Sequence, residues 1–138
     1  MTDSRKTSLY ENHKKLGAKL IPFSGFLMPL QYSGIIKEHK HVRAKAGLFD
    51  VSHMGEFIVK GDNAKQFLQK VTTNDIELLK VGRAQYNAIC NKDGGILDDF
   101  VIYNLSDCYM LVVNAANIEK IFNWLNDNIM DSVELQNI

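Results

Sequence analysis

The chain has 138 residues, close to the modal size of one domain, and 46% of them are hydrophobic, which is enough to supply a core. Its 16 basic and 16 acidic residues balance, so net charge gives no support for binding to nucleic acid or to an anionic membrane. No apolar run is long enough to span a bilayer, and the first residues resemble neither a secretory signal nor an evident transit peptide. Cys90 and Cys108 form no C-x-x-C motif, and they are expected as reduced core thiols of a cytosolic protein.

The first predicted element is a short helix. Residues 8–11 fit a capping box in which Ser8 begins the helix, and Gly17 is a stop signal. His13 is expected on the surface of this helix. Proline and glycine interrupt residues 19–32, which predicts a short strand followed by an irregular apolar loop.

A second helix is predicted from Ser33, which can cap it, through Ala46, with Gly47 as the stop. His39 and His41 lie in this helix two positions apart, a spacing at which side chains do not face each other. No Asp, Glu or Cys set completes a metal site around them. Both histidines are therefore expected on the solvated surface.

Residues 48–55 follow this helix and contain the residue types of a hydrolytic triad, Asp50, Ser52 and His53. These three are too close in sequence to converge without a special turn, and no glycine-flanked nucleophile elbow is present. We expect a strand end whose polar groups bond to the backbone.

The remainder of the chain alternates strands and helices. Strands are predicted at residues 56–60, 85–90, 96–103 and 109–113, and residues 132–138 alternate like a strand that is just starting. One helix begins at Asp62 or Asn63, and another is capped by Asn114 or Asn117. Their apolar residues recur at helical spacing: Ala64, Phe67, Leu68 and Val71 in the first; Ile118, Ile121, Phe122, Leu125 and Ile129 in the second.

Three consecutive strands joined by short turns predict an antiparallel meander. The fold class is therefore α+β, an antiparallel sheet of hairpins with flanking helices, and a doubly wound sheet is excluded.

The centre of the meander is the turn 91–95 and the strand after it, which carries two adjacent aspartates, Asp98 and Asp99. Side chains alternate between the faces of a strand, so Asp99 shares a face with Tyr103 while Asp98 lies on the opposite face. One carboxylate should therefore point toward the interior. It either caps backbone N–H groups near the turn or serves a function.

Two motifs in this order resemble a known family. Residues 49–55, Phe-Asp-Val-Ser-His-Met-Gly, and residues 94–99, Gly-Gly-Ile-Leu-Asp-Asp, are similar to the aminomethyltransferase, or T-protein, of the glycine cleavage system. Residues 22–32 and 112–117 also fit the family pattern. The resemblance covers nearly all 138 residues.

The resemblance implies an enzyme of glycine catabolism and one-carbon metabolism. Such an enzyme transfers a methylene group to tetrahydrofolate from an aminomethyl-lipoyl arm on the carrier H-protein, and releases ammonia. It implies that Asp99 is catalytic, stabilising cationic species in the reaction. It implies a folate-binding role for five further residues: Met54, Tyr86, Val101, Tyr103 and Asn114. For Asn114, a role as a helix cap stays equally open.

The family's enzymes are much longer, so residues 1–138 are expected to form an incomplete N-terminal folate-binding domain. Alone, this chain is expected to be inactive, to bind folate weakly, and to self-associate or be partly disordered near residues 133–138. Two alternatives stay open: a noncatalytic folate-binding or regulatory module of the same fold, and a related folate-dependent demethylase. We expect a cytoplasmic protein without a nucleic-acid, membrane or metal partner.

Overall fold

The computed structural model describes residues 4–138 and divides them into two compact units, one ending at His53 and the other running from Met54 to Ile138. The elements of the first unit are β1 (Arg5–Lys6), α1 (Tyr10–Lys15), β2 (Lys19–Phe23), β3 (Phe26–Gln31) and α2 (Ile35–Ala44). Its three strands form a sheet in the order β1-β3-β2, with β3 antiparallel to β2 and parallel to β1.

A hairpin replaces the irregular loop predicted within residues 19–32. Ser24 and Gly25, at its turn, both have positive φ, 48° and 82°, which suits a tight two-residue turn between twisted antiparallel strands. Pro22 and Pro29 lie within these strands and did not prevent the pairing. The prediction of a loop was wrong because this turn brings β2 and β3 together.

Both helices of the first unit begin without the caps predicted for them. The N-cap of α1 is Leu9 and makes no side-chain hydrogen bond, so the capping box at Ser8 does not form. In α2 the N-cap is Gly34, and the capping acceptor is the carboxylate of Glu38. Glu38 Oε1 accepts N–H groups from Tyr32, Ser33 and Gly34 at 2.8, 2.6 and 2.9 Å, and these bonds lower the pKa of Glu38.

The second unit contains five strands and two α-helices: β4 (Gly55–Lys60), α3 (Ala64–Val71), β5 (Ala84–Cys90), β6 (Ile96–Asn104), β7 (Tyr109–Val113), α4 (Ile118–Asp127) and β8 (Glu134–Asn137). Short 3-10 helices occupy Ile76–Leu78 and Ala115–Asn117. The strand order is β5-β6-β7-β4-β8, and all neighbours are antiparallel. The predicted meander is β5-β6-β7, and the α+β class with an antiparallel sheet is confirmed.

One face of this sheet, which we call the core face, packs against α3 and α4. Phe57 and Val59 of β4 are fully buried on it, as the alternation of the strand predicts. The predicted stripe of α3 is buried, and Ile121 and Leu125 of α4 join the same core. Phe57 meets Phe122 of α4 edge to face, with ring centroids 5.3 Å apart. Burying each large apolar side chain contributes roughly 1.5–3 kcal/mol, so this core is the main source of stability.

Two buried asparagines on the core face fix the connection between α3 and β5. Asn87 Oδ1 accepts the N–H groups of Thr73 and Asn74 at 3.1 and 2.9 Å. Asn104 Nδ2 donates to the carbonyl of Leu79 at 2.9 Å. These buried side-chain amides supply hydrogen-bond partners to backbone groups of the loop that have no neighbouring strand.

The turn between β5 and β6 is the one predicted at residues 91–95. Asn91 Oδ1 accepts N–H groups from Asp93 and Gly95 at 3.1 and 2.7 Å, and Gly94 has a φ of 81°. At the other end of the unit, β8 pairs with β4. The terminal segment is thus an edge strand of the sheet.

Candidate functional site

The strand register places the six candidate residues on β5 and β6 or directly next to β4 and β7 in the second unit. Phe100 pairs with Val113, which pairs with Gly55. The row on one side of these three residues therefore contains Met54, Asn114 and Asp99, which lie beside them in the chain. In the row on the other side Val101 pairs with Tyr86, and Tyr103 lies two residues further along β6.

Directly paired residues of antiparallel strands point to the same face. Asp99, Val101, Tyr103 and Tyr86 therefore share a face opposite to Phe57 and the helices; we call it the open face. Asp99 is exposed and Tyr86 is 65% exposed, while Val101 and Tyr103 are half-buried. The open face offers a carboxylate, two phenol rings and an aliphatic surface, a combination that suits a flat, polar aromatic ligand.

Asp98 lies on the opposite side of β6 from Asp99, as the alternation predicts, and it is the more buried of the two. Its Oδ1 accepts a hydrogen bond from Asn114 Nδ2 at 3.0 Å. Its Oδ2 is buried and has no hydrogen-bond partner among residues 4–138. The inward carboxylate thus bonds to the side chain that directly follows β7, and in the described part of the chain it caps no turn N–H group.

Asn114 occupies the N-cap position of the 3-10 helix Ala115–Asn117, and Asn117 is the N-cap of α4, but neither asparagine makes a side-chain capping bond. The Asn114 amide instead donates to Asp98 Oδ1 and to the carbonyl oxygen of Asp99, at 3.0 and 2.9 Å. Asn114 is thus an N-cap by position, while its side chain bonds to β6 and not to the helix.

Asp99 and Tyr86 interact across β5 and β6. Interaction with the Asp99 carboxylate is the main cause that raises the pKa of the Tyr86 phenol, and desolvation and the negative charges of Asp99 and Asp98 add to it.

Sequence reasoning missed further residues of the open face. Val112 is paired with both Val101 and Glu56, and Met110 is paired with both Tyr103 and Ile58. Glu56, Val112 and Met110 are half-buried. The alternation of β4 indicated that Glu56 lies on this face, because the residue next to buried Phe57 must point the other way. Recognising that Val112 and Met110 lie beside the candidate residues also needs the strand register, which the sequence does not give.

The first unit contains a separate polar cluster around Asp50. His13 Nε2 lies 2.8 Å from Asp50 Oδ2, and His13 Nδ1 lies 2.7 Å from the Tyr32 hydroxyl. Thr7 donates to Asp50 Oδ2 at 3.1 Å. His13 is 5% exposed and the Asp50 side chain is 2% exposed. The prediction that His13 lies on the helix surface was therefore wrong.

Asp50 also accepts the backbone N–H of Ser52 at 2.8 Å and the Ser52 hydroxyl. Burial opposes ionisation of Asp50, but hydrogen bonds from His13, Ser52 and Thr7 outweigh it and hold its pKa well below the usual range. Residues 46–51 form neither strand nor helix, so the expected strand end is an extended loop held by this carboxylate.

His53 takes no part in a triad with Asp50 and Ser52. Its ring packs between Phe23 and Phe26, with centroids 5.8 and 6.3 Å away, and its Nδ1 is buried without a hydrogen-bond partner in the described part of the chain. The histidine partner of Asp50 is His13, from the other end of the unit. The sequence argument against a triad of neighbours therefore agrees with the structure.

Other classes of site find little support among residues 4–138. Within this range, no group of three His, Cys, Asp or Glu side chains could hold a metal ion. His39 and His41 are exposed, as expected. Cys90 and Cys108 are free and half-buried. No helix in the described part of the chain is long and apolar enough to cross a membrane.

The fold and the site define an α+β protein whose candidate ligand surface is one face of an antiparallel sheet. The family model of the GCVT N-terminal domain matches residues 9–138, so the chain belongs to this family.

Named relatives agree with this assignment. The chain is 54% identical over 134 residues to the aminomethyltransferase of Halothermothrix orenii and 56% identical over 133 residues to that of Chloroherpeton thalassium. These matches cover 96% and 95% of this chain, and 38% and 37% of the relatives. The crystal structure of the glycine cleavage system aminomethyltransferase T from Bartonella henselae is 40% identical, with a TM-score of 0.93 over 99% of this chain and 38% of that one. The chain thus spans less than two fifths of these relatives.

Proposed function

We propose that this chain acts as, or as part of, an aminomethyltransferase of the glycine cleavage system. The reaction moves a methylene group from an aminomethyl-lipoyl arm to tetrahydrofolate. The carbon loses its bonds to the sulfur and nitrogen of the arm and gains bonds to two folate nitrogens, with ammonia and the free thiol as the other products. The proposal rests on family membership and on the open face that carries Asp99.

The observation that carries the proposal is the shared face of Asp99, Tyr86, Val101 and Tyr103. A pterin ring is flat and aromatic and carries N–H donors, and this donor set fits it: tyrosine rings and valine for the ring faces, oxygen acceptors for the N–H groups. Met54 and Asn114 extend the surface at the row of Asp99. Tetrahydrofolate, when bound, supplies the nucleophilic nitrogens.

Asp99 has the chemistry that the transfer requires. An exposed carboxylate at the edge of an apolar surface stabilises positive charge that develops at a nearby nitrogen or carbon. The same carboxylate orients a bound N–H group through a hydrogen bond. Tyr86 lies on the same face as Asp99, where its phenol can contact the ligand that Asp99 orients.

The proposed partner is the lipoylated H-protein, and the proposed setting is cytoplasmic glycine catabolism. The relatives are about two and a half times as long as this chain, so residues that enclose the rest of the ligand belong to the region beyond the match. We therefore propose that residues 1–138 alone bind tetrahydrofolate weakly, do not turn over, and self-associate.

Calorimetric titration of tetrahydrofolate tests the proposal. The titration compares residues 1–138 with the same residues extended by the remaining region of the Halothermothrix orenii relative. We expect tight binding and methylene transfer from aminomethylated H-protein only for the extended protein, with transfer abolished or strongly reduced by Asp99→Asn. Binding of tetrahydrofolate without transfer in the extended protein would favour the noncatalytic folate-binding module. Micromolar binding with turnover by residues 1–138 would refute the requirement for the additional region.

A further inference from the structure

Asp98 is a half-buried ionisable residue of the candidate site for which the proposed reaction has no use. One of its oxygens accepts a hydrogen bond from Asn114 Nδ2 at 3.0 Å, and the other is buried without a partner among residues 4–138. Burying a carboxylate is unfavourable unless it makes specific bonds. A carboxylate at this position therefore needs a role that offsets the cost of burying its second oxygen.

The reason lies in the amide of Asn114. Its Nδ2 carries two hydrogens, and both have acceptors: Asp98 Oδ1 at 3.0 Å and the carbonyl oxygen of Asp99 at 2.9 Å. An amide with both hydrogens engaged cannot turn over without losing two hydrogen bonds. Asn114 is thus fixed with its nitrogen toward β6 and its carbonyl oxygen directed away from these two acceptors.

We propose that Asp98 is a positioning residue that sets the orientation of the Asn114 amide, so that the Asn114 carbonyl oxygen accepts an N–H group of the ligand beside Asp99. The inference rests on the proposed function for the identity of that ligand, tetrahydrofolate. Asp98 itself does not touch the ligand. It acts through Asn114, and the adjacent carboxylates have different tasks: Asp99 faces the reaction, and Asp98 holds the acceptor next to it.

The same contact holds the strand at this point. The bond from Asn114 to the carbonyl of Asp99 joins the end of β7 to β6, and Lys120 Nζ of α4 donates to the carbonyl of Leu97 at 2.8 Å. Leu97 and Asp99 flank Asp98 in the chain. The backbone around the two aspartates is therefore held on both sides, which limits movement of the Asp99 side chain.

The matched variants are Asp98→Ala, which removes the acceptor, and Asp98→Asn, which keeps a carbonyl oxygen that can accept from Asn114. The control is Asp93→Ala in the exposed turn before β6. If Asp98 has only a structural role, Asp98→Ala and Asp98→Asn should each weaken ligand binding in proportion to the stability that they remove. If Asp98 positions Asn114, Asp98→Asn should restore the ligand binding that Asp98→Ala loses, whatever Asp98→Asn does to the melting temperature.

The first measurement needs no ligand. The side-chain NH₂ signals of Asn114 are followed by ¹⁵N-resolved NMR in residues 1–138, and they are assigned by their loss in Asn114→Ala. We expect shifted, slowly exchanging signals in the wild type, Asp93→Ala and Asp98→Asn. In Asp98→Ala we expect exchange to be faster by about five- to tenfold, the value of one lost hydrogen bond. Unchanged signals in Asp98→Ala would overturn the proposal.

The second measurement uses the extended protein and methylene transfer. Asp98→Ala should raise KM for tetrahydrofolate by about tenfold with a smaller effect on kcat, while Asp98→Asn stays within about threefold of the wild type. Equal losses in the two variants would overturn the proposal. If the wild type binds no tetrahydrofolate, the proposed function is wrong, and the NMR signals decide whether Asp98 orients Asn114.

Discussion

The two units of this chain are stabilised by different means. Among residues 4–53, Met28 is the single apolar side chain that is buried, and the other buried residues are Thr7 and His13. In residues 54–138, two helices and a five-stranded sheet enclose a continuous apolar core. The first unit thus depends on directional bonds to Asp50, while the second depends on burial. The difference implies that substitutions and pH act on the two units in different ways.

The largest expected effect is on the apolar core of the second unit. Phe57 is fully buried and contacts Phe122. Phe57→Ala should lower the free energy of unfolding by about 3–5 kcal/mol through lost burial and a residual cavity. Urea unfolding followed by fluorescence of Trp124, which packs against this core, measures the change. The control Ile58→Ala, on the open face, should lower the free energy of unfolding less. Equal losses would show that side chains on the two faces contribute equally to stability.

The next largest effect is on the reaction. In the extended protein, Asp99→Asn should lower the rate of methylene transfer by about a hundredfold or more, because a charge-stabilising group is lost. Asp98→Asn should have a much smaller effect, since its carboxylate lies on the opposite face and bonds to Asn114. Steady-state rates with aminomethylated H-protein measure both. A larger loss at Asp98 would mean that the wrong carboxylate has been assigned to the reaction.

The sequence predicts the second unit better than the first, for a physical reason. Alternation in β4 and β6 and helical spacing in α3 are local signals, because burial on one face repeats every two or about every 3.6 residues. The two-residue alternation of side chains in a strand is enough to place Asp98 and Asp99 on opposite faces. The pairing of Asp98 with Asn114, 16 residues away, leaves no such local signal.

The first unit lacked local signals almost entirely. His13 is charged or polar on both sides in the sequence and looked like a surface residue. Its partners Tyr32 and Asp50 are 19 and 37 residues away, and no periodicity reports a contact of that kind. Candidate folate-binding residues such as Met54 were identified by family resemblance. The strand register adds their positions in the sheet of the second unit.

A moderate effect is expected when the acceptor of the first unit is removed. Asp50→Ala leaves His13, Thr7 and Ser52 without their acceptor, and an unsatisfied buried group costs about 1–3 kcal/mol. Amide hydrogen exchange should become faster in residues 4–53 and change less in residues 54–138. The matched control Glu11→Ala removes an exposed carboxylate 3.6 Å from Lys14 and should have almost no effect. Equal acceleration in both units would contradict the separation.

The same carboxylate predicts a pH dependence. Because hydrogen bonds lower the pKa of Asp50 in the folded chain, its stabilisation is present above the unfolded-state pKa of about 3.9 and is lost as pH falls toward the lower folded value. Amide NMR spectra recorded from pH 7 down to about pH 2 should lose the signals of residues 4–53 before those of residues 54–138, with the loss beginning near the unfolded-state pKa. In Asp50→Asn this dependence should flatten; an unchanged acid transition would exclude Asp50 as its source.

The smallest effect is expected at the two histidines of α2, which are residues of the first unit that lie outside its polar cluster. His39 and His41 are exposed, and no residue of α2 is buried, so they have no part in the bonds that hold the first unit together. His39→Ala and His41→Ala should each change the free energy of unfolding by no more than about 0.5 kcal/mol and leave transfer activity unchanged. His13→Ala is the matched contrast, because the same substitution there removes two buried hydrogen bonds. Urea unfolding and zinc analysis of the purified variants measure both properties. A stoichiometric zinc ion lost with either exposed histidine would assign α2 a role that its spacing and exposure do not predict.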